Sequence, residues 1–421
     1  MILQSTAVLI IIVGLIVLYV TEIIPMSIST IFTCFAMALC GIVPFSGIFA
    51  GFGSDMCMLV AGMMVVNATL FKTGAAVLLG RGINKFVGNS EKLFIAVIIL
   101  LSAAVSAFLS NVATTALFLP IIDSVSKYSQ GRILKKNTYM LLGISVVTGG
   151  ILTMVGSPSQ LLAQEVLLRT GCRPIDFFEL GTLGLPRVAL ILLYYLTLGY
   201  WLQKKVFTFN ESVSYDMDKY EEVISIDNKK IITSMTIMLF CIIGFVTQIW
   251  TGGTVALLGA CLCILTRCIS EKEAYRAISW STIVILACDL CIASGIQTSG
   301  VGDIIAKAVI RILGDSPSNI TITAVLVGFS AVMSNIMSQT ATVAVLTPVG
   351  VSIALELNMD PTIAAMGIVG ASTLSCCTPT ATIPMVMTLP AGYRFTDYIK
   401  VGGPLAIMGY LLTVIVICWK I

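Results

Sequence analysis

Two polar segments contain residue types that could bind small ions within an otherwise apolar chain. The first, "SNVATTALFLP" at 110–120, holds a serine, an asparagine and two threonines. The second, "SQTATVAVLTP" at 338–348, keeps the pattern S-[NQ]-x-A-T-x-A-x-x-x-P in register. Hydroxyls and carboxamides can donate hydrogen bonds to a carboxylate, and their oxygens can also ligate a small hard cation. The pair therefore predicts a site for a small anion, a cation or both.

The surrounding sequence is typical of a polytopic membrane protein. Of the 421 residues, 57% are hydrophobic and 11% are charged, and mean hydropathy is +1.02. A spanning helix needs about 20 mostly apolar residues, which stretches such as 6–20, 231–249 and 403–419 supply. We expect an integral membrane protein, in a bacterial inner membrane, with an all-α fold and roughly 11 transmembrane helices.

Charge and cysteine usage argue against other classes of protein. The net charge is only +3 and no basic stripe occurs, so we expect no nucleic-acid partner. The chain has no histidine, and the common acid–base and nucleophile arrangements are therefore missing, so we do not expect an enzyme. Cys288 and Cys291 form a C-x-x-C inside an apolar stretch, where packing is a better interpretation than metal or redox chemistry.

The chain has two halves that align with one another. Residues 203–230 carry 11 of the 45 charged side chains and are predicted to be a linker between a first membrane repeat, 1–202, and a second, 231–421. "VGSPSQ" at 155–160 aligns with "CCTPTA" at 376–381. We expect the two repeats to be inverted, as in many transporters.

Each polar segment is predicted to form the tip of a re-entrant helical hairpin, near 102–122 and 331–349, with Pro120 and Pro348 at the exits of the returning limbs. At such a tip the free N–H groups of the returning limb attract anions and the free carbonyls of the arriving limb attract cations. Neither hairpin contains lysine or arginine. An anion would therefore be held by helix dipoles, amides, hydroxyls and co-bound cations.

Two proline turns complete the predicted site. Gly156, Ser157 and Pro158 should break one helix and free its carbonyls, and Cys377, Thr378 and Pro379 should do the same in the second half. Because irregular backbone at membrane depth persists only where protein covers it or where it lines a cavity, these turns predict a site near the bilayer midplane.

These motifs, together with "TEIIPMSISTIF" at 21–32 and "LVAGMMVVNATLFKTG" at 59–74, resemble the divalent anion sodium symporters. The resemblance covers nearly the whole chain. It implies sodium-coupled symport of a di- or trivalent organic anion of the C4-dicarboxylate or citrate class by an elevator-like motion, in a homodimer with co-transported sodium. A sulfate-like oxyanion carrier and a sodium-independent exchanger are the alternatives, with a channel or membrane enzyme as the competing class.

Residue by residue, the proline turns and the resemblance together assign a two-part site. The residues expected to touch the substrate are Ser110, Asn111, Thr114, Ser157, Pro158, Ser338, Gln339, Thr340, Thr378 and Pro379. The residues expected around sodium are Ser106, Ser110, Asn111, Gly156, Ser334, Ser338, Gln339 and Cys377.

Two positions depart from the family's Ser-Asn-Thr tips. Val112 replaces a threonine hydroxyl in the first tip, and Gln339 lengthens the carboxamide of the second by one methylene. A frame with Ser334 and Asn335 in the motif role breaks the A-T-x-A-x-x-x-P register, so Gln339 is preferred. Asp289, an acid inside an apolar stretch, either binds a cation or proton or ties helices together, and it stays outside the predicted site.

Overall fold

The described part of the chain is entirely helical. The computed structural model describes residues 2–21, 23–74, 90–129, 132–209, 228–247, 249–299, 318–379 and 381–420. Within them lie 19 α-helices and four short 3₁₀-helices, and these residues contain no strand. The predicted all-α class of fold is therefore confirmed.

Ten of the helices begin before the charged segment 203–230, and the other nine begin at Asn228 or later. The first ten are α1 (Ile2–Thr21), α2 (Met26–Leu39), α3 (Gly47–Ala50), α4 (Asp55–Lys72), α5 (Glu91–Ser106), α6 (Asn111–Tyr128), α7 (Tyr139–Gly149), α8 (Pro158–Arg169), α9 (Gly181–Leu196) and α10 (Leu198–Val206). The other nine are α11 (Asn228–Thr247), α12 (Gly252–Leu265), α13 (Glu271–Ala277), α14 (Trp280–Ser299), α15 (Asn319–Ile336), α16 (Gln339–Glu356), α17 (Pro361–Ser372), α18 (Ile383–Val386) and α19 (Phe395–Lys420).

Apolar helices make up the membrane part of the protein. Among the described residues, α11, α15, α16 and α19 are each long and apolar enough to cross a bilayer, and two bent helix pairs could each supply one more span. Five further apolar stretches of 10–17 described residues lie within α1, α2, α6, α12 and α17. The number of spans in the whole chain, predicted to be roughly 11, stays a prediction.

The helix breaks fall where the two polar segments predict them, but the prolines do not end the returning limbs. The chain leaves helical geometry between α5 and α6 and again between α15 and α16. Pro120 lies inside α6 and Pro348 inside α16. Their predicted place at the exits is therefore wrong. A buried helix tolerates proline when neighbouring groups satisfy the freed carbonyl, so both helices continue for two more turns.

The connection between the two halves is shorter than the predicted linker, because both ends of 203–230 are helical. Lys204 and Lys205 still belong to the last turn of α10, and Lys229 and Lys230 belong to the first turn of α11. Residues 210–227 lie outside the described residues. The repeat boundaries and the inversion stay predictions.

Helices from the two halves of the sequence pack against one another. α8, from the first half, packs against α16 of the second, and the short α18 of the second half packs against α6 and α7 of the first. Each proline turn is followed by one of these two helices. The helix that follows each proline turn consequently packs against the helix that begins at the polar segment of the other half.

Candidate functional site

Ser110 and Ser338 give the two tips the same local geometry. Ser110 has φ −61° and ψ 144°, and its Oγ accepts from the N–H of Ala113 at 3.3 Å. Ser338 has φ −63° and ψ 154°, and its Oγ accepts from the N–H of Ala341 at 3.2 Å. Both serines are therefore N-caps, and the positive ends of α6 and α16 lie at the two breaks.

The first tip packs directly against the first proline turn. Ser106 Oγ donates to Asn111 Oδ1 at 2.8 Å. A Cβ on Gly150 would lie 2.5 Å from Asn111 Oδ1, and a Cβ on Gly156 would lie 2.2 Å from the Gly150 oxygen and 2.8 Å from the Ser106 oxygen. The hydroxyl, amide and carbonyl oxygens of Ser106, Asn111 and Gly150 thus lie close together. These contacts leave no room for a side chain at Gly156.

Ser157 and Pro158 start α8 with a capping box. Pro158 is the first helical residue, and the N–H of Ser157 donates to Gln160 Oε1 at 3.0 Å. Gln160 Nε2 donates to the carbonyl of Gly150 at 2.7 Å, which ties the start of α8 to the end of α7. Gln160 was missed from the sequence, although Ser157-Pro158-Ser159-Gln160 carries the S-x-x-Q signal for this cap.

The second tip meets its turn through Asn335 rather than through Gln339. Asn335 Nδ2 donates to the carbonyls of Ala331 at 2.8 Å and Leu374 at 3.1 Å, and Oδ1 accepts from the N–H of Cys377 at 2.9 Å. Thr378 Oγ1 donates to the Asn335 carbonyl at 2.9 Å. Predicted residues Cys377 and Thr378 are therefore at the tip, held there by an asparagine that the register argument set aside.

Ser334 and Gln339 form no counterpart of the Ser106–Asn111 pair. Ser334 Oγ donates to the Ala331 carbonyl in its own helix at 3.0 Å. Gln339 Nε2 donates to Ser159 Oγ at 2.8 Å, and within the described ranges no hydrogen bond joins Ser334 to Gln339. These two of the four predicted cation ligands of the second half thus contact different partners.

A buried polar chain links the halves. Gln339 contacts Ser159, and Ser159 Oγ lies 3.0 Å from Ser157 Oγ. All three side chains are at most 6% exposed. Ser159 was missed from the sequence because its partner comes from a helix 180 residues away.

Several buried hydroxyls on or next to the helices that begin at the tips and turns have no hydrogen-bond partner among the described residues. They are Thr114 Oγ1 on α6, Thr347 Oγ1 on α16, Ser375 Oγ before the second turn and Thr382 Oγ1 at the start of α18. An unpaired buried polar group costs about 1–3 kcal/mol. These hydroxyls are therefore available to a polar ligand or to water.

Three other predicted positions differ in their accessibility. Val112 is 40% exposed in the first turn of α6, and Thr340, the second residue of α16, is half-buried. Pro379 is buried in the second turn. The first tip thus presents a methyl group where the second presents a hydroxyl. The side chain of Asp289 lies outside the described part of the chain.

A buried arginine behind the second turn was not recognised in the sequence. Arg187 on α9 is 2% exposed. Its Nη1 donates to the Gly370 carbonyl and to Thr373 Oγ1, and its Nε donates to Thr413 Oγ1 at 3.2 Å. Within the described ranges no carboxylate pairs with it. Its charge therefore acts on the C-terminal end of α17, which precedes the second turn.

Comparison with solved structures identifies the class of fold as that of membrane transporters. The YdaH transporter of Alcanivorax borkumensis, described as having an unusual topology, matches with a TM-score of 0.66 at 13% identity, over 91% of this chain and 87% of that one. MtrF of Neisseria gonorrhoeae, described among a class of antimetabolite efflux pumps, matches with a TM-score of 0.62 at 13% identity, over 99% and 94%.

The sequence comparisons identify the family. The citrate transporter family model, CitMHS, matches residues 16–344 and again 252–421, so the chain belongs to this family. The sodium-dependent dicarboxylate transporter SdcS of Staphylococcus saprophyticus is 20% identical over 89% of this chain and 78% of its own length. The predicted relationship to the divalent anion symporters is confirmed, and the protein is an integral membrane transporter.

Another relative matches more closely but over a shorter region. The uncharacterized transporter YfbS of Escherichia coli is 30% identical over 188 residues, which is 45% of this chain. The match spans 30% of the length of YfbS.

Proposed function

We propose that the protein is a sodium-coupled secondary transporter of a di- or trivalent organic anion of the C4-dicarboxylate or citrate class. The family membership supports transport of such an anion. The sodium-dependent dicarboxylate transporter among the relatives supports the coupling ion. A bacterial inner membrane, a homodimer and an elevator-like motion are part of the same proposal.

The observation that carries the proposal is the pair of serine-capped helix N-termini at the breaks. α6 and α16 each direct a partial charge of about +0.5 at the break that precedes them. The first turn of α6 also bears a buried hydroxyl without a partner among the described residues, that of Thr114. Two such positive ends suit an anion with two separated carboxylates, and no fixed lysine or arginine in either hairpin competes with them.

The oxygen cluster at the first turn supports sodium as the partner of the anion. The carbonyl oxygens of Ser106 and Gly150 lie beside Gly156 of the turn, and Asn111 Oδ1, which accepts from Ser106 Oγ, lies beside Gly150. Uncharged oxygens are ligands that a small hard cation accepts. A cation bound there would add positive charge beside the N-terminus of α6, so anion and cation would favour one another's binding.

The proposal is tested with purified protein in liposomes. Labelled succinate, malate or citrate should accumulate when sodium is outside, because sodium entering down its gradient drives the coupled anion. Vesicles with potassium in place of sodium, and protein-free vesicles with sodium, are the controls. Accumulation that is unchanged after potassium replaces sodium contradicts the coupling.

Two further measurements separate the alternatives. An excess of sulfate that abolishes dicarboxylate uptake, together with sodium-driven uptake of labelled sulfate, would favour an inorganic oxyanion carrier. Uptake that requires only a dicarboxylate inside the vesicles, at equal sodium on both sides, would favour an exchanger.

A further inference from the structure

Three exposed lysine side chains lie beside two aromatic rings on the surface formed by α5 and α10. Lys92 Nζ lies 5.1 Å from the centroid of the Tyr200 ring, and Lys204 Nζ lies 4.4 Å from the same centroid. Lys205 Nζ lies 5.1 Å from the centroid of the Trp201 ring. An ammonium group within about 6 Å of a ring centroid is attracted by the ring. We call these five residues the lysine patch.

The lysine patch keeps a positive charge that the described residues do not neutralise. Within the described ranges, no ion pair joins a carboxylate to a lysine of the patch. The neighbouring carboxylate is Glu91, whose oxygens accept from Tyr200 OH at 2.6 Å, from Asn137 Nδ2 at 2.9 Å and from the N–H of Leu134 at 3.3 Å. Three lysines and this one carboxylate leave a net charge of +2.

The position of α10 places the patch at a membrane surface. α9 and α10 together are apolar enough to cross a bilayer, and they meet at an angle of 53°. Lys204 and Lys205 lie in the last turn of α10, at the end of this apolar pair, and Trp201 is 57% exposed. Tryptophan, tyrosine and lysine at the end of an apolar span are typical of the membrane–water interface.

An apolar stripe on α9 leads to the lysine patch. Leu185, Ala189 and Leu193 are exposed at intervals of four residues, so they lie on one face of the helix. Leu198, in the first turn of α10, continues the exposed apolar surface. A phospholipid offers a phosphate to the lysines and acyl chains to the leucines. A soluble phosphate offers only the first.

We propose that the lysine patch binds the headgroup phosphate of an anionic phospholipid, whose acyl chains lie along the exposed leucines of α9. Lys92 and Lys204 donate hydrogen bonds to the phosphate, since each ammonium group has three donors. Lys205 adds attraction for the net negative charge of the headgroup, which a zwitterionic phospholipid lacks. The inference goes beyond the proposed transport function and depends on neither the substrate nor the coupling ion named there.

The double variant Lys92→Gln/Lys204→Gln tests the patch in the purified, detergent-solubilised protein. Phosphatidylglycerol should bind the wild type and raise its thermal unfolding temperature more than phosphatidylcholine does. The double variant should bind phosphatidylglycerol about tenfold more weakly, because each lysine near a headgroup contributes to the attraction. In phosphatidylcholine it should unfold at the wild-type temperature, since both side chains are exposed.

The matched control is Lys272→Gln/Lys400→Gln, which removes the same charge from exposed lysines on α13 and α19. Its affinity for phosphatidylglycerol should stay within about twofold of that of the wild type. An equal loss in both double variants would show a response to overall charge and would overturn the proposal. Soluble glycerol 3-phosphate that binds the patch as tightly as the lipid would also overturn it, in favour of a site for a free phosphate.

A competing occupant is the chain's own acidic segment. Residues 210–227, which follow α10 and lie outside the described residues, contain six acidic residues and one lysine. If they occupied the patch, the wild type would bind both lipids equally, and Glu221→Gln/Glu222→Gln would create a preference for phosphatidylglycerol. That result would overturn the proposal. A preference that is already present in the wild type and is lost only with Lys92 and Lys204 would support it.

Discussion

Gln339 joins the second tip to the first half through one hydrogen bond, from its Nε2 to Ser159 Oγ. The extra methylene relative to asparagine gives it that reach. Because Ser159 contacts Ser157, a predicted substrate ligand, the length of the glutamine sets the space between α16 and the first proline turn. We therefore expect this residue to determine which anion fits.

Gln339→Asn should shift substrate preference toward the larger anion. Shortening the side chain frees Ser159 and leaves room beside Ser157, while the lost buried hydrogen bond costs about 0.5–1.5 kcal/mol. The ratio of citrate to succinate uptake, measured as kcat/KM, should rise several-fold. Gln164→Asn is the control, because Gln164 bonds only the backbone of Ile175 among the described residues. An equal loss for both anions would contradict the role in specificity.

Single residues were predictable from the sequence where their role is local. Ser110 and Ser338 were identified by type and register, and both cap helices because a serine oxygen reaches the N–H three residues on. Asn335 was set aside because it breaks the register of the motif, and its partners Leu374 and Cys377 lie in a turn distant in the sequence. Pairing across a fold is not encoded in the spacing of one segment.

The elements that position the site are broken helices, and glycine determines how closely they approach. The first turn lies against the end of α5 only because Gly156 has no side chain. The sequence predicted the break at this turn correctly, from glycine and proline. It did not predict that Pro120 and Pro348 would be accommodated inside long helices, because that depends on packing around them.

Gly156→Ala should destabilise the protein and weaken sodium binding together. The added Cβ would meet the backbone oxygens of Gly150 and Ser106, which cannot rotate away, so we expect a loss of about 1–3 kcal/mol. Thermal unfolding with and without sodium should show a lower midpoint and a smaller sodium-induced rise.

Gly14→Ala is the matched control for that substitution. A Cβ on Gly14, within α1, would meet no atom within 4 Å. Its stability should stay the same or rise by up to about 1 kcal/mol, because alanine favours helix more than glycine does. A Gly156→Ala variant as stable as this control would contradict the close packing of turn and tip.

At the scale of the whole molecule, the number of sodium ions sets the response of transport to membrane potential. One sodium ion carried with a divalent anion moves one net negative charge. In that case a potential positive inside the vesicle, set with potassium and valinomycin, accelerates succinate uptake, since each charge contributes about 2.3 kcal/mol per 100 mV. An equal rate at both polarities would indicate two sodium ions, and acceleration by an inside-negative potential would indicate three. Vesicles with equal potassium on both sides provide the zero-voltage reference.

The class of the whole molecule was predictable, because hydrophobic content and helix breaks are properties of composition and local sequence. The helical transporter fold and the family were both predicted correctly. The arrangement in which α8 packs on α16, and α18 on α6 and α7, was not anticipated. It depends on contacts between segments that share no sequence signal.

The hydrogen bonds of Arg187 also have a mechanical consequence. They connect α9, from before the charged segment, to the end of α17 and to Thr413 on α19, both from after it. Withdrawing the guanidinium would leave a buried charge without acceptors, so these three helices are expected to travel as one rigid body during the transport cycle. The rigid body therefore contains helices from both halves of the sequence. The charged segment consequently does not divide the chain into two parts that move independently.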